Sequence, residues 1–321
     1  MTVLVTGGAG YIGSHVVRLL AQRGDDVVVV DDLSNGIAAR VDGHPIEQID
    51  LADAGAEDSL VDVLRRYDVS SVIHFAAKKQ VGESVERPLW YYRQNVDGLA
   101  NLLAALERVG VERLVFSSSA AVYGMPDVDL VMEDTDCHPI NPYGQTKLIG
   151  EWMIDNARAA TGLRAVKLRY FNVAGAGWSD LADTAVMNLI PIVLDRIEKG
   201  KAPIVFGDDY PTPDGTCIRD YIHVKDLAEA HIAALDYIAS GDPKATVFNV
   251  GTGEGASVSD VLAEIAVGLG RTITPEMGER RAGDPPRLVA DVSRIAAELS
   301  WKAEYRLPEI VQSAIAARGL A

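Results

Sequence analysis

The sequence predicts an α/β fold built on a doubly wound parallel sheet, and three observations predict it. Short β-branched runs alternate with helical stretches through roughly the first half of the chain. The first run feeds a glycine-rich turn that opens a helix, Thr6-Gly7-Gly8-Ala9-Gly10-Tyr11-Ile12-Gly13. The second run ends on an acidic pair, Asp31-Asp32. Together these point to a Rossmann sheet followed by a smaller, discontinuous C-terminal substrate domain.

Taken in order, the candidate strands are residues 3–6, 27–31, 46–49, 72–75, 111–117 and 165–170. Several are apolar throughout, as strands covered on both faces must be. Helical periodicity occupies residues 12–23, 56–66, 89–109 and 143–159 between them. After Asn172 the rhythm breaks, because Gly175, Gly177 and the proline-bearing stretch 210–215 read as loops. Strand and helix signals return at 221–239 and 247–250, and the tail from Ser257 carries helices around a loop at 280–287. The expected division is 1–172 plus about 219–250 for the Rossmann domain, and about 173–218 plus 251–321 for the substrate domain.

Composition removes several functions. Thirty Lys and Arg against 46 Asp and Glu leave a formal net charge of −16, with no basic run. Such a surface does not neutralise nucleic-acid phosphates or anionic lipid. A small anionic ligand stays open, since a few local cations outweigh distant acids. Hydrophobic content of 48% excludes disorder. Cys137 and Cys217 lie far apart and form no CxxC, which points to a reduced, cytoplasmic setting without a disulfide framework. The chain starts Met-Thr-Val-Leu-Val with no basic n-region, so no secretory signal is expected. The apolar run 27–30 ends in two aspartates and reads as a buried strand, not a membrane span.

Gly7, Gly10 and Gly13 lack Cβ atoms where backbone N–H groups must approach a pyrophosphate at a helix N-terminus. By itself that spacing also fits any tight strand-helix turn. Asp31 lies 18 residues after Gly13, at the end of the next strand, where its carboxylate can accept from both ribose hydroxyls. A 2′-phosphate would meet Asp31 and Asp32 with no arginine beside them, which favours NAD over NADP. Asp50 suits either an adenine-side role or a turn. Lys78 and Lys79 suit either a cofactor contact or a solvated pair.

Tyr143 and Lys147 are four residues apart, so on a helix they share a face. A phenol with a pKa of about 10 is a poor base at neutral pH until a cation stabilises its phenolate. Lys147 supplies that cation and can hydrogen-bond the nicotinamide ribose. Ser117-Ser118-Ser119 ends the fifth strand, where a hydroxyl can share the reacting proton with the phenol. Glycine turn, acidic strand end, serines and YxxxK, in this order, describe a nicotinamide-dependent enzyme. The six histidines form no HExxH, so no metal is expected, and His74 reads as a core residue. The serines lack a GxSxG elbow.

At these motifs the chain resembles the extended short-chain dehydrogenase/reductases. TGGAGYIGSH at 6–15, VIHFAAKKQVGES at 72–84, FSSSAAVYG at 116–124, NPYGQTK at 141–147 and RYFN at 169–172 carry the resemblance. FGDDYPTPDGTCIRDYIHV at 206–224 narrows it to the UDP-glucose 4-epimerases, also called UDP-galactose 4-epimerases. The resemblance implies Ser119, Tyr143 and Lys147 as catalytic residues. It implies cofactor contacts at Tyr11, Ile12, Asp31, Asn35, Asp50, Leu51, Phe75, Ala76, Ala77, Lys79, Asn95 and Tyr170. Asp32 stands where many members have asparagine, which adds charge beside the adenosine.

For the diphosphate, Arg219 and Arg281 offer planar donor forks, although either one alone reads more readily as a surface arginine paired with its adjacent aspartate. The resemblance favours the phosphate role. It also implies Asn172, Asn188 and Leu189 near sugar and phosphate, Ile204, Val205 and Phe206 along the uracil, and Asp284 on the ribose. Leu288 stands where members carry tyrosine or a small residue that gates the sugar pocket.

The implied reaction interconverts UDP-glucose and UDP-galactose by inversion at C4 through a transient 4-keto sugar, with NAD retained. A homodimer is also implied. Epimerases of UDP-glucuronate, UDP-xylose or a UDP-N-acetylhexosamine differ only in the pocket. A 4,6-dehydratase needs an acid-base pair after the catalytic hydroxyl, where this chain has Ala120-Ala121. An inactive NAD-binding sensor or scaffold is opposed by the intact Tyr143 and Lys147.

Overall fold

The computed structural model describes residues 1–281 and 283–320. The chain opens with β1 (Thr2–Thr6), α1 (Tyr11–Arg23), β2 (Asp26–Asp31), β3 (Ile46–Gln48), α2 (Ala56–Arg66) and β4 (Ser71–His74). Then come α3 (Val81–Glu86), α4 (Pro88–Tyr92), a π-helical turn at Arg93–Asp97, α5 (Gly98–Val109) and β5 (Arg113–Ser117). α6 (Pro142–Thr161), β6 (Arg164–Tyr170), β7 (Asn172–Ala174), α7 (Leu189–Glu198) and β8 (Ile204–Phe206) follow. The remainder is β9 (Ile218–His223), α8 (Val224–Ala239), β10 (Val247–Val250), β11 (Gly255–Ser257), α9 (Val258–Gly268), β12 (Glu276–Gly278), β13 (Arg287–Leu288), α10 (Ser293–Leu299) and α11 (Leu307–Ala317).

Seven strands form one sheet in the order β10-β6-β5-β4-β1-β2-β3. β1 pairs in parallel with both β2 and β4, and β4–β5 and β5–β6 are parallel as well. This is the doubly wound sheet that the sequence predicts. Strand order reverses between β1 and β4, the switch point where such sheets bind ligands beyond their carboxyl ends. The helices start and stop on local chemistry. α1, α5 and α6 end on Gly24, Gly110 and Gly162, all left-handed, and Ser257 with Asp260 forms a capping box on α9.

Chain contacts divide the molecule into two compact units. The first is Met1–Gly124, Cys137–Arg169 and Ala228–Phe248; the second is Met125–Asp136, Tyr170–Leu227 and Asn249–Ala321. In the first, Leu4, Val28, Val72 and Leu114 of the strands pack on Leu60 and Leu64 of α2 and Leu99 and Leu102 of α5. Each such buried side chain contributes about 1.5–3 kcal/mol. In the second, Ile190 and Leu194 of α7 meet Val261 and Ile265 of α9 and Ile310 and Ile315 of α11.

These bounds differ from the sequence expectation by two or three residues at 170–172 and 249–250, and by more in two places. β9 lies in a four-stranded sheet with β11, β13 and β7, so residues 219–227 fall in the second unit and not with the parallel sheet. Met125–Asp136 joins the second unit too, because Val131 exchanges backbone hydrogen bonds with Val289 (2.8 Å) and Asp291 (2.8 Å).

Candidate active site

The turn after β1 is built for close approach. Gly7 has φ +70°, and a Cβ there would lie 2.7 Å from the Ala76 nitrogen. One at Gly13 would lie 2.3 Å from the Gly7 oxygen. Gly10 holds the N-cap of α1 without any side-chain cap, so Tyr11 and Ile12 open a helix at a glycine-lined turn. That geometry fits a pyrophosphate. Asp31 is 5% exposed and accepts from Ala9 N (3.0 Å) and Leu33 N (2.9 Å). Burial pushes its carboxyl above the ordinary value, against the pull of those N–H groups.

The neighbouring positions divide by partner. Asp32 accepts from Ser34 N (2.9 Å) and from the Lys78 ammonium (2.7 Å), and Lys79 is exposed. Burial raises the Asp32 carboxyl, but the bonds from Lys78 and Ser34 outweigh it and hold the group below its ordinary value. Sequence reading missed this cation beside the acidic pair, since Lys78 sits 46 residues away. Asp50 accepts from Ala52 N (2.9 Å), which is turn geometry, and from Gln94 (3.2 Å). Asn95, in the π turn, takes Lys78 N on its carbonyl (2.8 Å) and donates to Lys78 O and Thr146 Oγ1, both at 3.0 Å. Phe75 packs on His231, Leu51 is buried, Ala76 and Ala77 are half-buried, and Asn35 is exposed.

Ser119, Tyr143 and Lys147 come together in the first unit at the carboxyl end of β5. Asn141 caps α6 by accepting from Gly144 N (2.9 Å), which places Tyr143 in the first turn. Gly144 lets that turn approach the Ser119 loop, because a Cβ would sit 2.5 Å from the Ala121 oxygen. The Tyr143 phenol hydrogen-bonds Ser119; burial pushes it up and that bond pulls it down. Lys147 is 4% exposed and donates to Ser117 O at 2.8 Å. Burial lowers its ammonium to about 8, against the charge of Glu151 one turn further along α6.

Glu151 is a buried neighbour of Lys147 that the sequence does not single out. Only 2% exposed, it accepts from Ser118 Oγ (2.5 Å) and from Arg169 Nε (2.9 Å) and Nη2 (2.6 Å). Arg169 also reaches Tyr123 Oη at 3.0 Å. Its spacing from Lys147 is the only signal the sequence carries. His74 is the packed core histidine that the sequence suggests: Thr6 Oγ1 bonds its ring at 2.7 Å, and burial drops it to about 3.

The second unit gathers another set. Arg219 lies on β9 and reaches Asp284 (3.3 Å), not the adjacent Asp220. Asp220 is fully buried and instead accepts from Thr252, Gly253 and Ala290 N–H groups. Arg281 lies 4.1 Å over the ring of Phe206, whose strand β8 (with Ile204 and Val205) pairs with β12. Leu288 is half-buried and sits opposite Arg219 in the β13–β9 register. Asn188 stands at the N-cap position of α7 without a side-chain capping bond, Leu189 begins that helix, Asn172 is exposed on β7, and Tyr170 ends β6. Tyr210, which the sequence did not single out, carries a buried hydroxyl without a partner beneath Arg280.

Comparison with known proteins decides the family. Residues 3–251 match the NAD dependent epimerase/dehydratase family. The chain belongs to that family. A UDP-glucose 4-epimerase of Azospirillum brasilense is 45% identical over 319 residues, covering 98% of this chain and 90% of that one. The UDP-glucose 4-epimerase of Brucella ovis, solved in complex with NAD, superposes with a TM-score of 0.92 at 42% identity, covering 99% of this chain and 98% of the other. The Bifidobacterium longum enzyme, solved with NAD+ and UDP, gives a TM-score of 0.91 at 36% identity with the same coverage. Family members are NAD-dependent enzymes, in keeping with the cradle at Gly7–Gly13 and with the nicotinamide chemistry expected of Tyr143 and Lys147.

Proposed function

We propose that this chain is an isomerase that interconverts UDP-glucose and UDP-galactose by inversion at C4. The observation that carries the reading is the buried Ser119–Tyr143–Lys147 group after β5, in the same parallel sheet as the tight glycine turn that follows β1. Relatives named for that reaction, at 98% coverage of this chain, support it. Gly7, Gly10, Tyr11, Ile12 and Gly13 would hold the cofactor pyrophosphate and Asp31 its ribose. When bound, NAD supplies reversible hydride acceptance at the sugar C4.

The chain's own residues handle the proton and the grip. Tyr143 takes the C4-hydroxyl proton and later returns it, and Ser119 relays the hydrogen bond. Lys147, held by Ser117 O, offsets the phenolate charge that burial would otherwise forbid. In the second unit Arg219 and Arg281 would bind the diphosphate, Phe206 and its strand neighbours the uracil, Asp284 the ribose, and Asn172, Asn188 and Leu189 the sugar side. Grip on the nucleotide with looseness at the sugar lets a flat 4-ketose turn over. Leu288, intermediate in bulk, suits UDP-hexoses without an N-acetyl group. Comparable turnover of UDP-N-acetylglucosamine would remove that restriction.

Two finer readings go with it. The chain forms a homodimer, for which α3, α4 and α6 offer exposed Val81, Val85, Leu89 and Trp152 on helices that pack together. It works in the cytoplasm, a setting supported by two free cysteines. No described helix is long and apolar enough to cross a membrane. Tyr143→Phe tests the chemistry: kcat falls by about 10²–10⁴ with bound nucleotide unchanged. Near-normal turnover removes Tyr143 from the mechanism.

A further inference from the structure

We propose that Asp32 and Lys78 set the choice of cofactor, Asp32 withholding the Lys78 ammonium from a ribose 2′-phosphate and so favouring NAD over NADP. The proposal rests on the reading of the glycine turn as a dinucleotide site. Its geometry comes from the sheet. β2 and β4 flank β1, whose carboxyl end carries the Gly7–Gly13 turn. Asp32 follows β2 and Lys78 follows β4, so their contact bridges the two loops on either side of that turn. Lys78 Nζ lies 2.7 Å from Asp32 Oδ2 and 2.6 Å from Ser34 Oγ.

Lys78 is aimed, not loose. Asn95 fixes its backbone from both sides, through Lys78 N (2.8 Å) and Lys78 O (3.0 Å). Its ammonium lies over the Trp90 ring, with Nζ 5.7 Å from the centroid. Its charge acts on Asp31 as well as Asp32, so it belongs to the acidic end of β2 as a whole. With Asp32 ionised, that cation is spent within the pair, and an entering phosphate meets two carboxylates. Without the Asp32 charge, the same ammonium becomes the phosphate ligand that the sequence otherwise lacks there. The pair is partly solvated, with side-chain exposures of 13% and 27%, and such pairs contribute little to stability. Its removal changes recognition, not folding.

The test equilibrates the purified full-length chain with equal NAD and NADP and reads the bound nucleotide by native mass spectrometry. The parent chain holds NAD almost alone. Asp32→Asn raises the bound NADP-to-NAD ratio about tenfold, the size of one charged hydrogen bond gained. Asp32→Asn combined with Lys78→Met returns it to within about threefold of the parent. An unchanged ratio in Asp32→Asn, or a rise that survives loss of Lys78, overturns the proposal alone. A parent chain that binds neither nucleotide overturns the site reading and this proposal with it.

Discussion

Lys147 donates to Ser117 O from an almost fully buried position, and burial lowers its ammonium to about 8. Its charge is present below that value and is lost as pH rises through it. In the free chain the alkaline limb of kcat/KM therefore falls near pH 8, and Lys147→Met removes both the limb and the activity; a profile flat to pH 10 contradicts the role. His74 titrates the other way. It is neutral in the fold down to about pH 3, whereas an unfolded histidine protonates near 6.5. Its contribution is whole above 6.5 and is lost as pH falls toward 3, by about 1.4 kcal/mol per unit of pH at most. Denaturant titrations across that window show the slope, and His74→Gln flattens it. At this scale Tyr143 and Lys147 were legible because one helical turn joins them. The Asp32–Lys78 and Glu151–Arg169 pairs were not, because their partners arrive from other strands.

Single elements bring the reacting groups together by close approach. α1 starts where a Cβ at Gly13 would meet the Gly7 oxygen, so Gly13→Ala displaces the helix N-terminus and the chain loses its nucleotide, read by absorbance of the purified protein. α6 carries Glu151 into a buried pair with Arg169, and Glu151→Gln leaves that guanidinium uncompensated. The expected cost is about 3–5 kcal/mol of stability by denaturant unfolding. A change below about 1 kcal/mol contradicts it. Element types were largely readable from periodicity, but two particulars were not. The stretch 89–109 reads as one helix, whereas a π turn at Arg93–Asp97 interrupts it and aims Asn95 at Lys78. A π turn widens a single turn by one residue, too brief a break for periodicity to reveal. β9 has the composition of any buried strand, and only its non-local partners place it in the second sheet.

For the whole molecule, a net charge of −16 describes the solvent-facing surface, and it does not oppose the proposed anionic ligand, because local cations outweigh distant acids. Arg219 and Arg281 are the cations proposed for that role. Leu89, 76% exposed, and Trp152, 57% exposed, mark the face proposed to join two copies. Leu89→Glu with Trp152→Arg shifts sedimentation from dimer to monomer, and a monomeric parent chain contradicts that reading. Inversion at C4 is open to a single assay. Purified protein is mixed with UDP-galactose, with no nicotinamide nucleotide added, and the sugar nucleotides are separated over time. UDP-glucose accumulates to an equilibrium that is also reached from the UDP-glucose side. No conversion from either hexose, by protein that retains its nucleotide, contradicts epimerisation by this chain.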